Sequence, residues 1–84
     1  DYKTILQEHI QAKYRLTPTY EVVGTQGPDH NRTFTVSVTM GDQLLALGTG
    51  TSKKRASQAA AKNALNKIEP GWKTMRRGSG VVLC

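Results

Sequence analysis

Apolar and polar positions alternate along this chain in two rhythms, and each change of rhythm marks the boundary of an element. From Tyr2 to Tyr14 the spacing is helical. Tyr2, Ile5, Leu6, His9, Ile10 and Lys13 fall on one side, and Thr4, Gln7, Glu8 and Gln11 on the other. Asp1 stands where an N-cap belongs, and Pro18 prevents the helix from running on. Thr19 to Thr25, with its β-branched and aromatic residues, reads as a strand, and Gln26 to Arg32 reads as a loop carrying Gly27, Pro28 and Asp29. In Thr33 to Met40 the period drops to two: Phe34, Val36, Val38 and Met40 point one way, and Thr33, Thr35, Ser37 and Thr39 the other. One face of this strand is expected to be covered and the other wet. Gly41 and Asp42 then turn the chain into a third strand, about Gln43 to Thr49.

The helical rhythm returns after Gly48 and Gly50. Ser52 is placed to cap a second helix that runs to about Ile68 and is stopped by Pro70. Ala56, Ala60, Ala64 and Ile68, joined by Ala61 and Leu65, make a face of small residues that can lie close on a sheet, while Arg55, Gln58 and Lys62 form the opposite stripe. The order predicts an α+β fold of the type α-β-β-β-α, a three-stranded antiparallel sheet with two helices packed on one face. Residues 1–69 would form this domain. From 70 to 84 no period is sustained: Gly71, Gly78 and Gly80 interrupt the segment, and Lys73, Arg76 and Arg77 charge it, so it is expected to be a basic, flexible C-terminal tail.

Composition narrows the class. A chain of 84 residues buries only about 60% of its unfolded surface, so the core must be small. No apolar run reaches the roughly 20 residues needed to cross a bilayer, and no signal-like segment opens the chain, so neither a membrane nor a secreted role is expected. The single cysteine, Cys84, rules out an internal disulfide and a cysteine-based zinc site, which fits a reducing cytoplasm. A first residue of Asp1 rather than Met is what a piece cut from a longer protein, or a processed product, would show.

Twelve Lys and Arg against six Asp and Glu give a net charge of +6, which favours a polyanionic partner without naming it. Placement says more. Lys53, Lys54 and Arg55 occupy the first turn of the second helix, where the backbone dipole already carries partial positive charge and four N–H groups lack intrahelical acceptors. Three cations there oppose the local preference, and the conflict resolves if an external phosphate is bound by the side chains and the free amides together. Taken alone, a basic turn is more simply a solvated face of good helix formers. Gly48 and Gly50 shift the balance by permitting close approach at the strand-to-helix passage. The spacing of a nucleotide-binding P-loop is missing.

Gly48-Thr-Gly50-Thr-Ser52-Lys53-Lys54-Arg-Ala56, followed by Gln58-Ala-Ala60-Ala and Ala64-Leu65, resembles the closing signature of the double-stranded-RNA-binding domain. Asp1-Tyr-Lys3-Thr4-Ile-Leu6-Gln7-Glu8 is similar to the family's first helix as found at the C-terminus of bacterial-type ribonuclease III. Pro18-Thr-Tyr20-Glu-Val22 is similar to its first strand, and Gly27-Pro28-Asp29-His30 before Phe34 to its first loop. The resemblance covers about Asp1 to Glu69. It implies recognition of A-form RNA by shape, over about 16 bp that take in two minor grooves and the major groove between them. On the matching positions, Thr4, Gln7 and Glu8 would meet 2′-hydroxyls and base edges in one minor groove. Pro28 to His30 would enter the next. Ser52, Lys53 and Lys54, with Arg55, would bridge phosphates across the intervening groove. Glu8 makes sense beside a polyanion only as an acceptor for sugar hydroxyls. The chain departs from the commonest pattern at Ser57, where many members carry Lys.

Ribonuclease III cuts with a cluster of carboxylates that hold divalent metal. Asp1, Glu8, Glu21, Asp29, Asp42 and Glu69 are instead scattered singly, and no nucleophile has a base beside it: Ser52 has only basic neighbours, His9 falls on the core side, and Cys84 is terminal. The chain is therefore expected to bind without cutting, with no cofactor, metal or small-molecule substrate. A catalytic domain would lie elsewhere in a ribonuclease III-type parent. The alternative class is a non-catalytic adaptor, either one that binds double-stranded RNA or a domain of this kind that binds protein through its exposed sheet face. The pair Lys53 and Lys54 speaks against pure protein binding.

Overall fold

The computed structural model describes residues 1–71, so nearly all of the expected tail lies outside the described residues. Helix α1 spans Tyr2–Tyr14. One Asp1 carboxylate oxygen accepts the amides of Lys3 (3.0 Å) and Thr4 (3.2 Å), two of the donors that a helix start leaves unpaired. The helix ends with Arg15 in the left-handed region at φ 60°, its N–H donating to the Gln11 carbonyl.

Three strands follow, β1 (Thr19–Gln26), β2 (Thr33–Met40) and β3 (Gln43–Gly50), in an antiparallel sheet of order β1-β2-β3. Between β1 and β2 a single 3-10 turn, Asp29–Asn31, closes the hairpin, an element that the sequence pattern did not indicate. Both outer strands carry a bulge. Val23 is the extra residue in β1, between the Val22–Val36 and Gly24–Thr35 pairs, and Leu45 is the extra residue in β3, between Ala46–Val38 and Leu44–Thr39. The second bulge puts Leu45 into the core beside the partly buried Ala46, a break in alternation that a period-two reading cannot foresee.

Helix α2, Lys53–Ile68, folds back antiparallel along β3. The two backbones nearly touch: a β-carbon added to Gly48 would lie 2.0 Å from the amide nitrogen of Ala60, and one added to Gly50 would lie 2.6 Å from that of Ala56. No larger residue fits at Gly48 without displacing the helix. Helix α1 lies beside α2 and runs parallel to it, bonded through Asp1 and Gln58 at one end and through Lys13 and Glu69 (2.5 Å) at the other. Leu6 and Ile10 of α1 meet Val36, Val38 and Leu45 of the sheet and Ala56, Ala60, Ala61, Ala64 and Leu65 of α2 in one core.

The opposite sheet face is less uniformly wet than alternation implies. Ser37 lies in the middle strand between Glu21 and Leu47, and these neighbours leave it only 6% exposed. Val23 and Leu47 expose about half of their surface.

Candidate nucleic-acid interface

The start of α2 is built by the strand before it. Tight contact at Gly48 and Gly50 fixes where the helix begins, and Ser52 Oγ accepts the Arg55 amide at 3.1 Å while its carbonyl accepts the Ala56 amide. The amides of Lys53 and Lys54 have no carbonyl four residues back to receive them, and both point out of the helix end. Lys53, Lys54 and Arg55 are exposed, no acidic residue occupies the first turn, and among the described residues none of the three is in a salt bridge. Three cationic side chains and a helix N-terminus therefore stand together with no internal anion, an arrangement suited to phosphate oxygens.

The β1–β2 tip meets this helix start. Phe34, just after the tip, pairs with Gly50, just before α2, and an open cleft of about 560 Å³ is lined by Asp29, His30, Asn31, Arg32, Phe34 and Thr51. The tip is held in shape by its own contacts. Gly27, at φ 91°, lies so close to Asn31 that a β-carbon would come within 2.5 Å of the Asn31 carbonyl oxygen. The Asn31 amide donates to the Pro28 carbonyl at 2.9 Å, and Arg32 pairs with Asp29. Pro28 and His30 are both exposed on this turn. Arg32 was not singled out by the sequence pattern, since only the fold brings it to the cleft.

On α1, Thr4, Gln7 and Glu8 are exposed, while Leu6 and Ile10 on the far side are buried. Their half of the helix lies toward the same end of the domain as the α2 start, because the N-terminus of α1 is bonded to the second turn of α2. The Tyr2 amide donates to Gln58 Oε1 at 2.9 Å, and Gln58 Nε2 donates to the Asp1 carboxylate at 3.1 Å. The sequence pattern put Gln58 on a solvent stripe. It is instead half-buried between the helices, since the parallel approach of α1 covers that side of α2. Lys62, from the same stripe, places its ammonium 5.7 Å from the Tyr2 ring centroid. Ser57 is only 9% exposed, so a longer side chain at this position would have to thread outward past its neighbours.

The Tyr20 hydroxyl is buried and finds no hydrogen-bond partner among the described residues, and burial pushes its pKa up to about 12. The hydrogen bond from Lys13, aided by its charge, holds the Glu69 carboxyl below the usual range, and the same bond raises Lys13. Lys3 of α1 places its ammonium 4.8 Å from the Tyr20 ring centroid, and the Lys13–Glu69 pair lies at the end of the helices opposite Asp1. Among the described residues no three His, Cys, Asp or Glu side chains cluster so as to hold a metal ion, and no helix is long and apolar enough to cross a membrane.

Residues 2–68 match the double-stranded RNA binding motif family. The chain belongs to that family, and its helix, three antiparallel strands and helix make it a double-stranded-RNA-binding domain. Among curated proteins it is similar to Ribonuclease 3 of Syntrophobacter fumaroxidans, 54% identical over 68 residues that are 81% of this chain and 28% of that protein. It is also similar to Ribonuclease 3 of Geobacter sulfurreducens, 49% identical over 71 residues, 84% of this chain and 29% of the relative. The chain thus spans less than a third of the length of these relatives. Among solved structures, the first dsRBD of protein HYL1 superposes with a TM-score of 0.62 at 36% identity, covering 79% of this chain and 93% of that one.

Proposed function

We propose that residues 1–69 form the substrate-binding module of a ribonuclease III-type RNA-processing protein, which grips duplex RNA by its A-form shape and leaves cleavage to another part of a longer parent. The reading rests on one observation. A cationic helix start, a preshaped hairpin tip and a polar helix face carrying Thr4, Gln7 and Glu8 lie toward one end of a single platform. Lys53 and Lys54, with Ser52 and Arg55, bridge phosphates of the backbone. Pro28 and His30 enter one minor groove at the tip, and Thr4, Gln7 and Glu8 meet 2′-hydroxyls in the other. The relatives' name supplies the parent activity, and the rest of their length, more than two thirds, is room for its catalytic part. A cytoplasmic setting fits a chain whose single cysteine leaves no internal disulfide.

A titration of the 84-residue chain with a duplex RNA of about 20 bp and with either of its separated strands tests this. The duplex should bind at least tenfold more tightly. Equal affinity for the single strands would leave only attraction between opposite charges, and the shape-reading account would fail.

A further inference from the structure

Two of the three proposed contact surfaces sit on different helices, and their relative position depends on what joins those helices near the RNA end. Gln58 joins them there through two hydrogen bonds. Its carbonyl oxygen accepts the Tyr2 amide at 2.9 Å, and its amide nitrogen donates at 3.1 Å to the Asp1 carboxylate oxygen that also receives the Lys3 and Thr4 amides. One side chain, one turn beyond Lys53–Arg55 on α2, therefore touches both the cap and the first amide of α1. Lys62 of α2 adds an ammonium 5.7 Å from the Tyr2 ring centroid at the same end, and Lys13 with Glu69 links the opposite ends.

We infer that Gln58 is a positioning residue, which sets the minor-groove face of α1 in register with the phosphate-binding start of α2. The inference rests on the proposed RNA contacts of α1 and deepens that reading. Glutamine suits the task because it both donates and accepts, and both actions are used here. A glutamate could still accept from Tyr2 but would place a second anion against Asp1. A lysine could donate to Asp1 but would leave the Tyr2 amide without its acceptor. Since Gln58 touches neither phosphate nor sugar in this arrangement, its removal should leave the ionic part of binding intact and weaken only what α1 contributes.

The test is a double-mutant cycle of Gln58→Ala and Glu8→Ala in the 84-residue chain, titrated with duplex RNA and with duplex DNA of the same sequence at two salt concentrations. Ile68→Ala, at the far end of α2, serves as a control for general loosening. Gln58→Ala is expected to weaken RNA binding about fivefold, to narrow the preference for RNA over DNA by the same factor, and to leave the salt slope unchanged. The double mutant should bind no worse than about twofold below the weaker single mutant. Gln58→Glu should reproduce the loss if the alanine variant proves too unstable to titrate. Fully additive losses, or a loss no larger than that of Ile68→Ala, would overturn the inference while leaving the contacts of α1 standing. If Glu8→Ala alone changes nothing, the α1 contact itself is wrong, and the role of Gln58 goes with it.

Discussion

The two helices serve the same proposed ligand but are built in opposite ways. The start of α2 is cationic and rests on strand backbone at Gly48 and Gly50, whereas the outer face of α1 is neutral or acidic and is placed by Leu6, Ile10 and a few polar links to α2. Each construction suits its chemistry. Phosphates are bound by charge, which tolerates a loose fit but needs the helix end held out toward them. Sugar hydroxyls are bound by short directional hydrogen bonds, which require that α1 be correctly placed relative to α2. If the proposed contacts hold, affinity and the choice of RNA over DNA are carried by separate surfaces and can be damaged separately.

The largest effect should come from the strand that supports the α2 start. Gly48→Ala forces a β-carbon against the Ala60 backbone and is expected to cost about 3 kcal/mol in urea unfolding. A cost below about 1 kcal/mol would show that the helix can move away freely. Next in size, Lys53→Ala with Lys54→Ala should weaken duplex RNA binding about tenfold or more and flatten the log-log salt dependence by about two units, with RNA-over-DNA preference retained. Glu8→Ala should do the reverse, narrowing that preference a few-fold at an unchanged salt slope. If the lysine pair and Glu8 altered slope and preference alike, the division between the helices would not hold.

Two smaller effects concern the platform. Burial pushes the Tyr20 pKa up to about 12 in the folded chain, against about 10 when unfolded, so folding favours its neutral form. Stability from this group is intact below pH 10 and is lost as pH rises toward 12. Tyr20→Phe should remove that alkaline loss, and at neutral pH it should leave stability equal or slightly higher, because the hydroxyl lacks a partner. Thermal melts at pH 8 and pH 11 check both statements. Smallest of all, Arg15→Gly should relieve the left-handed backbone at the end of α1 and stabilise the domain by about 0.5 kcal/mol.

Much of this fold was legible in the sequence because local signals were strong where they mattered. Asp1 and Pro18 bracket α1, Ser52 and Pro70 bracket α2, and the strict alternation of Thr33–Met40 marks the central strand. What stayed hidden depends on contacts between distant residues. The Leu45 bulge arises from pairing with β2, the covering of Ser37 from strands on both sides of it, and the burial of Gln58 from a helix 57 positions away in sequence. Of the candidate site, the basic turn stood out because it defied its own helix dipole. Thr4, Gln7 and Glu8 look like any solvated helix face and were singled out only through the family resemblance. Arg32 and the cleft beside Thr51 needed the hairpin tip and the strand-to-helix junction to be brought together.

The most direct measurement is a competition titration of the 84-residue chain in which duplex RNA and duplex DNA of one sequence contend for it, repeated at low and high salt. The expected result is that RNA wins at both, with a ratio of affinities that hardly changes while each affinity falls steeply as salt is added. Equal binding of the two duplexes, or a preference that vanishes with salt, would mean that charge alone draws nucleic acid to this domain and that α1 reads no sugar.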